Sequence, residues 1–127
     1  MGTSLIRFAI AAIDSDSGHR TGILVAAHDL RDEGELSVLE HDVVRLELAW
    51  FNINLPIPPE LDSEEHRRAI SWFKPSANEA IQRMWRLKAI LGVHGIDVDV
   101  LKTEDPGVIV YEDNFQVIAK PRKGRRF

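Results

Sequence analysis

Basic side chains in the middle and at the end of this chain are the residues whose types and spacing could do chemistry. Seven of them could contact phosphate groups: Arg83, Arg86, Lys120, Arg122, Lys123, Arg125 and Arg126. Trp72 and Trp85 lie close to the two arginines in sequence, and an indole ring can stack on a base. Because Glu79 and other acidic residues are interleaved with the arginines, a solvated helix face is the favoured interpretation. A nucleic-acid interface formed by these seven residues is the alternative.

Five histidines could act as acid–base groups or metal ligands, and they are His19, His28, His41, His66 and His94. No two of them are three or four residues apart, so no helix would present a pair on one face. We therefore interpret them as surface or capping residues and predict no catalytic residue, no metal site and no cofactor. The chain also lacks a nucleophile elbow, a phosphate-binding glycine loop and a dinucleotide fingerprint. A small enzyme with His28 or His41 in a pocket is a further alternative.

The composition is that of one globular domain. The chain has 127 residues, of which 44% are hydrophobic and 28% charged, and a domain of this size buries its own core. It has no cysteine, which excludes disulfides, thiolate zinc sites, iron–sulfur clusters and a cysteine nucleophile. No window has the length of a membrane helix, and Leu5–Ile13 lacks the layout of a signal peptide. We therefore expect a cytoplasmic protein that makes no membrane contact.

The charge distribution sets the end of the chain apart. The formal net charge is −4, yet Lys120 to Phe127 contain five of the 16 basic residues and no acidic one. Short charged ends of this kind are commonly disordered. The sequence therefore predicts one domain over residues 1–119, followed by a flexible basic tail over residues 120–127.

The elements that must position these residues begin with two apolar runs, Leu5–Ile13 and Thr21–His28, on either side of a cluster of turn formers. This arrangement predicts a β-hairpin with a long loop. Apolar residues then recur at helical spacing and predict a helix over Val38–Asn52, with Ser37 and Glu40 as a capping box. The prolines of Leu55–Pro59 end that helix and form, in the alternative, a polyproline II ligand.

The second half of the chain contains a further helix and three strands. Acidic residues after Asp62 predict a short helix from Ser63 to about Trp72. A second capping box, from Ser76 to Glu79, predicts a long helix that ends at Gly92 or Gly95. Alternation and turn residues predict three strands, over Ile96–Leu101, Val108–Tyr111 and Phe115–Ile118. The fold class is therefore α+β: a mostly antiparallel sheet of about five strands, in the element order ββααβββ with a short extra helix, and helices on one face.

The combination of WFKPSA, a helix, HGIDVDVL and TEDPGVIVYEDNFQVIAKP resembles a group of small bacterial proteins found especially among actinomycetes. These proteins share a pattern of the form WFKP…HGV…PGxxxYEDxxQVxA over much of this length. The resemblance implies a bacterial, soluble, single-domain protein. It implies no activity, cofactor or site residue, because the residues of the pattern are mainly those of turns and core.

Three hypotheses about function follow from these observations. The favoured one is a non-enzymatic protein-binding or regulatory module, whose partner is another protein or a second copy of the chain. Trp50, Trp72 and Tyr111 are the candidate contact residues, because aromatic side chains are enriched at interface centres. The alternatives are a nucleic-acid-associated protein that uses the basic tail and the Arg-rich helix, and a small enzyme.

Overall fold

A computed structural model describes residues 4–55, 58–61 and 63–127. In this part of the chain the helices are α1 Ile23–Asp32, α2 Val38–Asn54 and α3 Asn78–Val93, and the strands are β1 Leu5–Ile13, β2 Arg20–Gly22, β3 Ile70–Phe73, β4 Asp99–Thr103, β5 Val108–Glu112 and β6 Gln116–Lys120. Two short 3-10 turns, Pro59–Leu61 and Glu64–His66, lie between α2 and β3. The predicted α+β class is confirmed.

The strand β1 is the centre of the sheet, and all of its pairings are antiparallel. One of its edges pairs with β4 from Leu5 to Ala9. Ile6 also pairs with Phe73 of β3, and Ala9 also pairs with Gly22 of β2. Since a strand has two edges, β2 and β3 must share the edge that β4 leaves open. The strands β2 and β3 separate along β1 between Ile6 and Ala9. Beyond β3 the sheet continues through β6 to β5.

The two faces of the sheet carry separate apolar clusters. The larger cluster joins the three helices to one face and includes Phe8, Phe51, Phe73, Met84 and Leu87. The smaller cluster covers the other face and consists of Leu5, Ile70, Trp72, Val117, Ala119 and Phe127. Successive side chains of a strand point to opposite faces, which explains why Phe73 belongs to the first cluster and Trp72 to the second. The predicted placement of the helices on one face therefore holds.

The prediction of a strand over Thr21–His28 is wrong, because the strand stops at Gly22 and α1 begins at Ile23. The β-branched residues of this apolar run and its position after a turn favour a strand. Ile23, Ala26, Ala27 and Leu30 are nevertheless spaced as one face of a helix, and all four are buried. Burial of this face against the larger cluster outweighs the β-propensity of the run.

The prediction of a short helix from Ser63 to Trp72 is also wrong. A single 3-10 turn forms at Glu64–His66, and Ile70–Phe73 form a strand that pairs with β6. The alternation of Ile70 and Trp72 on one face with Phe73 on the other lets the segment contribute to both clusters. Trp72 is fully buried, so it is not an exposed contact residue. Asp62 lies outside the described residues.

The helix predicted over Val38–Asn52 is confirmed and extends to Asn54. Its capping box is complete: the Glu40 N–H donates to Ser37 Oγ over 3.1 Å, and the Ser37 N–H donates to Glu40 Oε1 over 3.0 Å.

The alternative of a polyproline II ligand over Leu55–Pro59 stays a prediction, because Pro56 and Ile57 lie outside the described residues. Of the described residues, no helix is long and apolar enough to span a bilayer.

The capping box predicted at Ser76 does not form. The helix α3 starts two residues later, with Ala77 as its N-cap and no side-chain cap. The reason is a turn, in which the Ala77 N–H donates to the Lys74 carbonyl over 2.9 Å. At the other end the helix stops as predicted, with Gly95 at a φ of +79°, a conformation that glycine adopts without steric cost.

The C-terminal hairpin is confirmed as β5 and β6, and Asp113 closes it by accepting the N–H groups of Phe115 and Gln116. The turn before it requires glycine: Gly107 has a φ of +106°, and a Cβ there would lie 2.0 Å from the Lys120 carbonyl oxygen. The preceding strand, predicted from Ile96, begins only at Asp99.

Candidate functional site

A cavity of about 340 Å³ opens where β2 and β3 part from the shared edge of β1. Arg7 and Phe8 both line it. Since these neighbours point to opposite faces of the sheet, the cavity extends across the sheet. One end is polar and lies beside Arg7, whereas the other is apolar and lies beside Phe8 in the helix-side core.

The polar end contains a buried arginine whose hydrogen bonds are mostly unmade. Arg7 is only 7% exposed. Its Nη2 donates to the Arg20 carbonyl over 2.6 Å, while Nε and Nη1 have no partner among the described residues. Gly22 lies against this guanidinium, since a Cβ there would be 3.9 Å from Nη2. Native proteins pair almost all such buried donors, so these two nitrogens are an exception within the described part of the chain.

The charge of this arginine is as unusual as its hydrogen bonding. Burial, together with the positive charge of Arg20, lowers the pKa of Arg7 to about 10, although Asp14 acts in the opposite direction. The side chain is still a cation at neutral pH. A buried charge without an ion-pair partner is costly to the folded state, and an anion bound in the cavity would remove that cost.

The N-terminus of α1 lies at the same cavity. Gly22 is its N-cap and supplies no side-chain hydrogen bond, and the first turn contains no acidic residue. Ile23, Leu24 and Val25 of this turn line the cavity. The first amides of a helix have no acceptor within the helix, and the helix dipole favours negative charge there. The positive end of the α1 dipole and the positive charge of Arg7 therefore both favour a negative charge in this cavity.

Two further arginines line the polar end, and each has an acidic partner. Arg20 Nη2 lies 2.5 Å from Asp99 Oδ2, and Arg67 Nη2 lies 4.0 Å from Glu64 Oε1. Asp14 also lines the cavity, and its oxygens accept the backbone N–H groups of Asp16 and Ser17 in the loop. Among the described residues that line the cavity, Arg7 is thus the arginine without a carboxylate.

The apolar end is formed by helix and sheet together. Phe51 and Leu55 come from the end of α2, Phe73 from β3 and Met84 from α3. Phe51, Phe73 and Met84 are buried in the larger cluster, and Leu55 packs against it. Hydrocarbon placed here would be removed from water on several sides, which is favourable by about 25 cal/mol per Å² of apolar surface.

A second polar cluster joins the polar end to the end of the chain. His19 is buried, and its Nδ1 accepts the Phe127 N–H over 3.2 Å. Burial lowers the pKa of His19, and the positive charges of Arg7, Arg126 and Arg68 lower it further. Phe127 packs edge-on against Trp72, with 4.8 Å between ring centroids. The tail therefore lies over the sheet here, while its expected flexibility stays a prediction.

The arginines of α3 predicted to contact nucleic acid are engaged within the protein. Arg83 and Arg86 both donate to Glu47 of α2, over 3.0 and 3.2 Å, and Glu47 is only 5% exposed. Arg83 also bonds Glu79 and lies over the Trp50 ring at 4.6 Å. These bonds join α2 to α3 on the helix side of the sheet.

The predicted residues of the tail lie elsewhere. Lys120 Nζ is 3.4 Å from the Glu65 carbonyl, Arg122 pairs with Asp105 at 3.0 Å, and Arg125 lies over the Phe127 ring at 5.0 Å. Lys123 and Arg126 are exposed. Since Phe127 packs on the sheet face opposite the helices, the structure places the α3 arginines and the end of the tail on different faces.

The histidines proposed for catalysis do not line the cavity. His28 is half-buried on α1 and His41 is exposed on α2. In the described ranges, no group of three His, Asp or Glu residues is arranged to hold a metal ion.

Sequence reasoning missed Arg7, the charged residue within the apolar run Leu5–Ile13. A signal was present, because a charged residue within a strand that is apolar on both faces must be buried or distort the strand. The sequence could not show that β2 and β3 leave a gap beside it.

No protein-family model matches this chain, and neither curated proteins nor solved structures contain a match to it.

Proposed function

We propose that the protein is a non-enzymatic binding module that takes a small organic anion in the cavity between β2 and β3. The observation that carries the proposal is the guanidinium of Arg7, which is buried at this cavity and whose Nε and Nη1 have no partner among the described residues. The N-terminus of α1 supports it independently, because helix N-termini bind anions through their free amides.

The arrangement favours binding over catalysis. A general acid or base works best with a pKa near the operating pH, whereas an arginine whose pKa is about 10 holds its proton at neutral pH. Asp14 is the carboxylate near it, and its oxygens are occupied by loop amides. The groups at the polar end thus hold a negative charge without transferring a proton. Three expectations from the sequence stay predictions: binding of a protein partner, binding of nucleic acid, and membership in the bacterial group with the WFKP pattern.

The test is a titration with sodium acetate followed by nuclear magnetic resonance. Acetate is a minimal probe of the polar end, and the Nε–H signal of Arg7 reports directly on a new acceptor. We expect saturable shifts of this signal and of the Gly22–Val25 amides. Arg7→Met should abolish the shifts of those amides.

The matched control is Arg45→Met. Arg45 is exposed on α2, with Asp42 at 3.9 Å as its acidic neighbour, so its loss should leave the acetate shifts unchanged. Equal amide shifts in Arg7→Met and in the unaltered protein would refute the proposal, as would the absence of saturable shifts in the unaltered protein.

A further inference from the structure

We infer that the ligand is an amphipathic carboxylate, with its head group at Arg7 and an apolar chain that crosses the sheet to Phe51, Leu55, Phe73 and Met84. The inference rests on the proposed function and names the class of molecule that the same cavity takes.

The two ends of the cavity require a ligand with two parts. The polar end offers the free nitrogens of Arg7 and the first turn of α1. The apolar end consists of Phe51, Leu55, Phe73 and Met84, none of which is charged. A purely ionic ligand would leave the apolar end empty, and a neutral hydrocarbon would leave the arginine unpaired.

The charge at the polar end favours one negative charge over two. Arg20 is neutralised by Asp99, and Arg67 has Glu64 nearby. Arg7 makes no ion pair among the described residues, and Asp14, which lines the same cavity, repels additional negative charge. A carboxylate carries one charge and accepts side by side from a guanidinium, whereas a phosphate monoester carries nearly two at neutral pH.

The volume limits the size of the apolar part. The cavity of about 340 Å³ is at the small end of the range of about 300 to 1,000 Å³ found for ligand sites. A single short hydrocarbon chain or one aromatic ring fits this description better than a nucleotide or a folded peptide segment does.

The test is a calorimetric series with acetate, hexanoate, octanoate and decanoate, compared with octanol and octyl phosphate. Each added methylene should tighten binding about threefold to fourfold until the apolar end is full. Octanol should bind at least about tenfold more weakly than octanoate, because a hydrogen bond to a charged group is worth about 1.5 to 3 kcal/mol. Octyl phosphate should not bind more tightly than octanoate.

Two variants assign the two ends. Leu55→Trp should occupy the apolar end and remove the gain from longer chains while acetate still binds. Its control is Leu39→Trp on the exposed side of α2, where Leu39 is 75% exposed. Arg7→Met should weaken octanoate to about the level of octanol and abolish the binding of acetate.

The outcomes separate this inference from the proposed function. If acetate and decanoate bind equally well through Arg7, the anion site stands and the amphipathic ligand is refuted. A clear preference for octyl phosphate would overturn the carboxylate assignment alone. If octanoate and decanoate bind Arg7→Met as tightly as they bind the unaltered protein, the series reports surface adsorption and the inference fails. If none of the acids bind, both proposals fail.

Discussion

The burial and the incomplete hydrogen bonding of Arg7 are unfavourable to the stability of the folded protein. Its guanidinium is buried and donates one hydrogen bond to the Arg20 carbonyl, while its other two nitrogens have no partner in the described ranges. Burying an ion without an ion-pair partner carries a desolvation penalty, and functional sites commonly retain groups that lower stability. An arginine at this position is therefore better explained by a ligand than by the fold.

Arg7→Met should accordingly raise the free energy of unfolding of the ligand-free protein by about 1 to 3 kcal/mol. The physical reason is that methionine fills similar space without a charge to desolvate. Urea denaturation at neutral pH measures the change. A loss of stability of similar size would show instead that the guanidinium is a structural group.

Arg83→Met provides the opposite case. Arg83 donates to Glu47, which is almost completely buried, so its removal leaves that carboxylate with Arg86 alone. We expect a loss of stability here in the same urea experiment. If Arg7→Met raises the free energy of unfolding and Arg83→Met lowers it, the two results distinguish the arginine without an ion pair from the paired one.

At the scale of single elements, the chain shows how one local pattern leads to two outcomes. Ser37 and Ser76 each stand three residues before a glutamate, and both patterns predict a capping box. The box forms at Ser37. At Ser76 the preceding proline and the Lys74–Ala77 turn move the helix start to Asn78, so the serine lies outside the cap position.

Ser37→Ala should therefore destabilise the protein by about 1 kcal/mol, the usual cost of losing an N-cap side chain. Ser76→Ala should have almost no effect, since no cap bond is lost. Thermal and urea denaturation of the two variants measure the difference. Equal losses in both would contradict the assigned helix start.

The elements that the sequence predicted correctly are those with strong local signals. The capping box and helical periodicity predict α2, and the turn at Asp113 predicts the hairpin of β5 and β6. The errors fall where tertiary packing decides: α1 has β-branched residues on a helical face, and Ile70–Phe73 is a strand because it pairs with β6. Neither outcome depends on neighbours in sequence alone.

At the scale of the whole molecule, His19 connects the β1–β2 loop to the end of the chain through the Phe127 N–H. Only a neutral imidazole can accept this bond. Burial and nearby arginines lower the pKa of His19 in the folded protein below its ordinary 6.5. The stability that depends on neutral His19 is therefore complete above pH 6.5 and is lost as the pH falls below that value.

We expect the urea midpoint to fall between about pH 7 and about pH 5 in the unaltered protein. In His19→Gln the fall should be smaller, because glutamine offers a neutral acceptor that does not titrate. Asp105 and Asp113 have lowered pKa values, so their contributions are lost only at more acidic pH. Identical pH profiles for the two proteins would show that His19 does not carry the dependence.

The candidate site is a property of the whole molecule, which is why the sequence could not locate it. Its polar end comes from β1 and the start of α1, and its apolar end comes from α2, β3 and α3. These parts meet because β2 and β3 share one edge of β1 without touching along it. No spacing of residues in the chain encodes that gap, although Arg7 marks the strand on which it opens.

The position of β1 also has a consequence for the order in which the chain can fold during synthesis. Leu5 pairs with Thr103, Ile6 pairs with Phe73, and the local partner β2 is only three residues long. The N-terminal strand must therefore wait for most of the chain before both of its edges are covered. Topologies dominated by such distant pairings fold slowly, and an uncovered apolar strand is open to intermolecular pairing in that interval. A charge within Leu5–Ile13 opposes such pairing, so Arg7 also protects the newly made chain before any cavity exists for it to line.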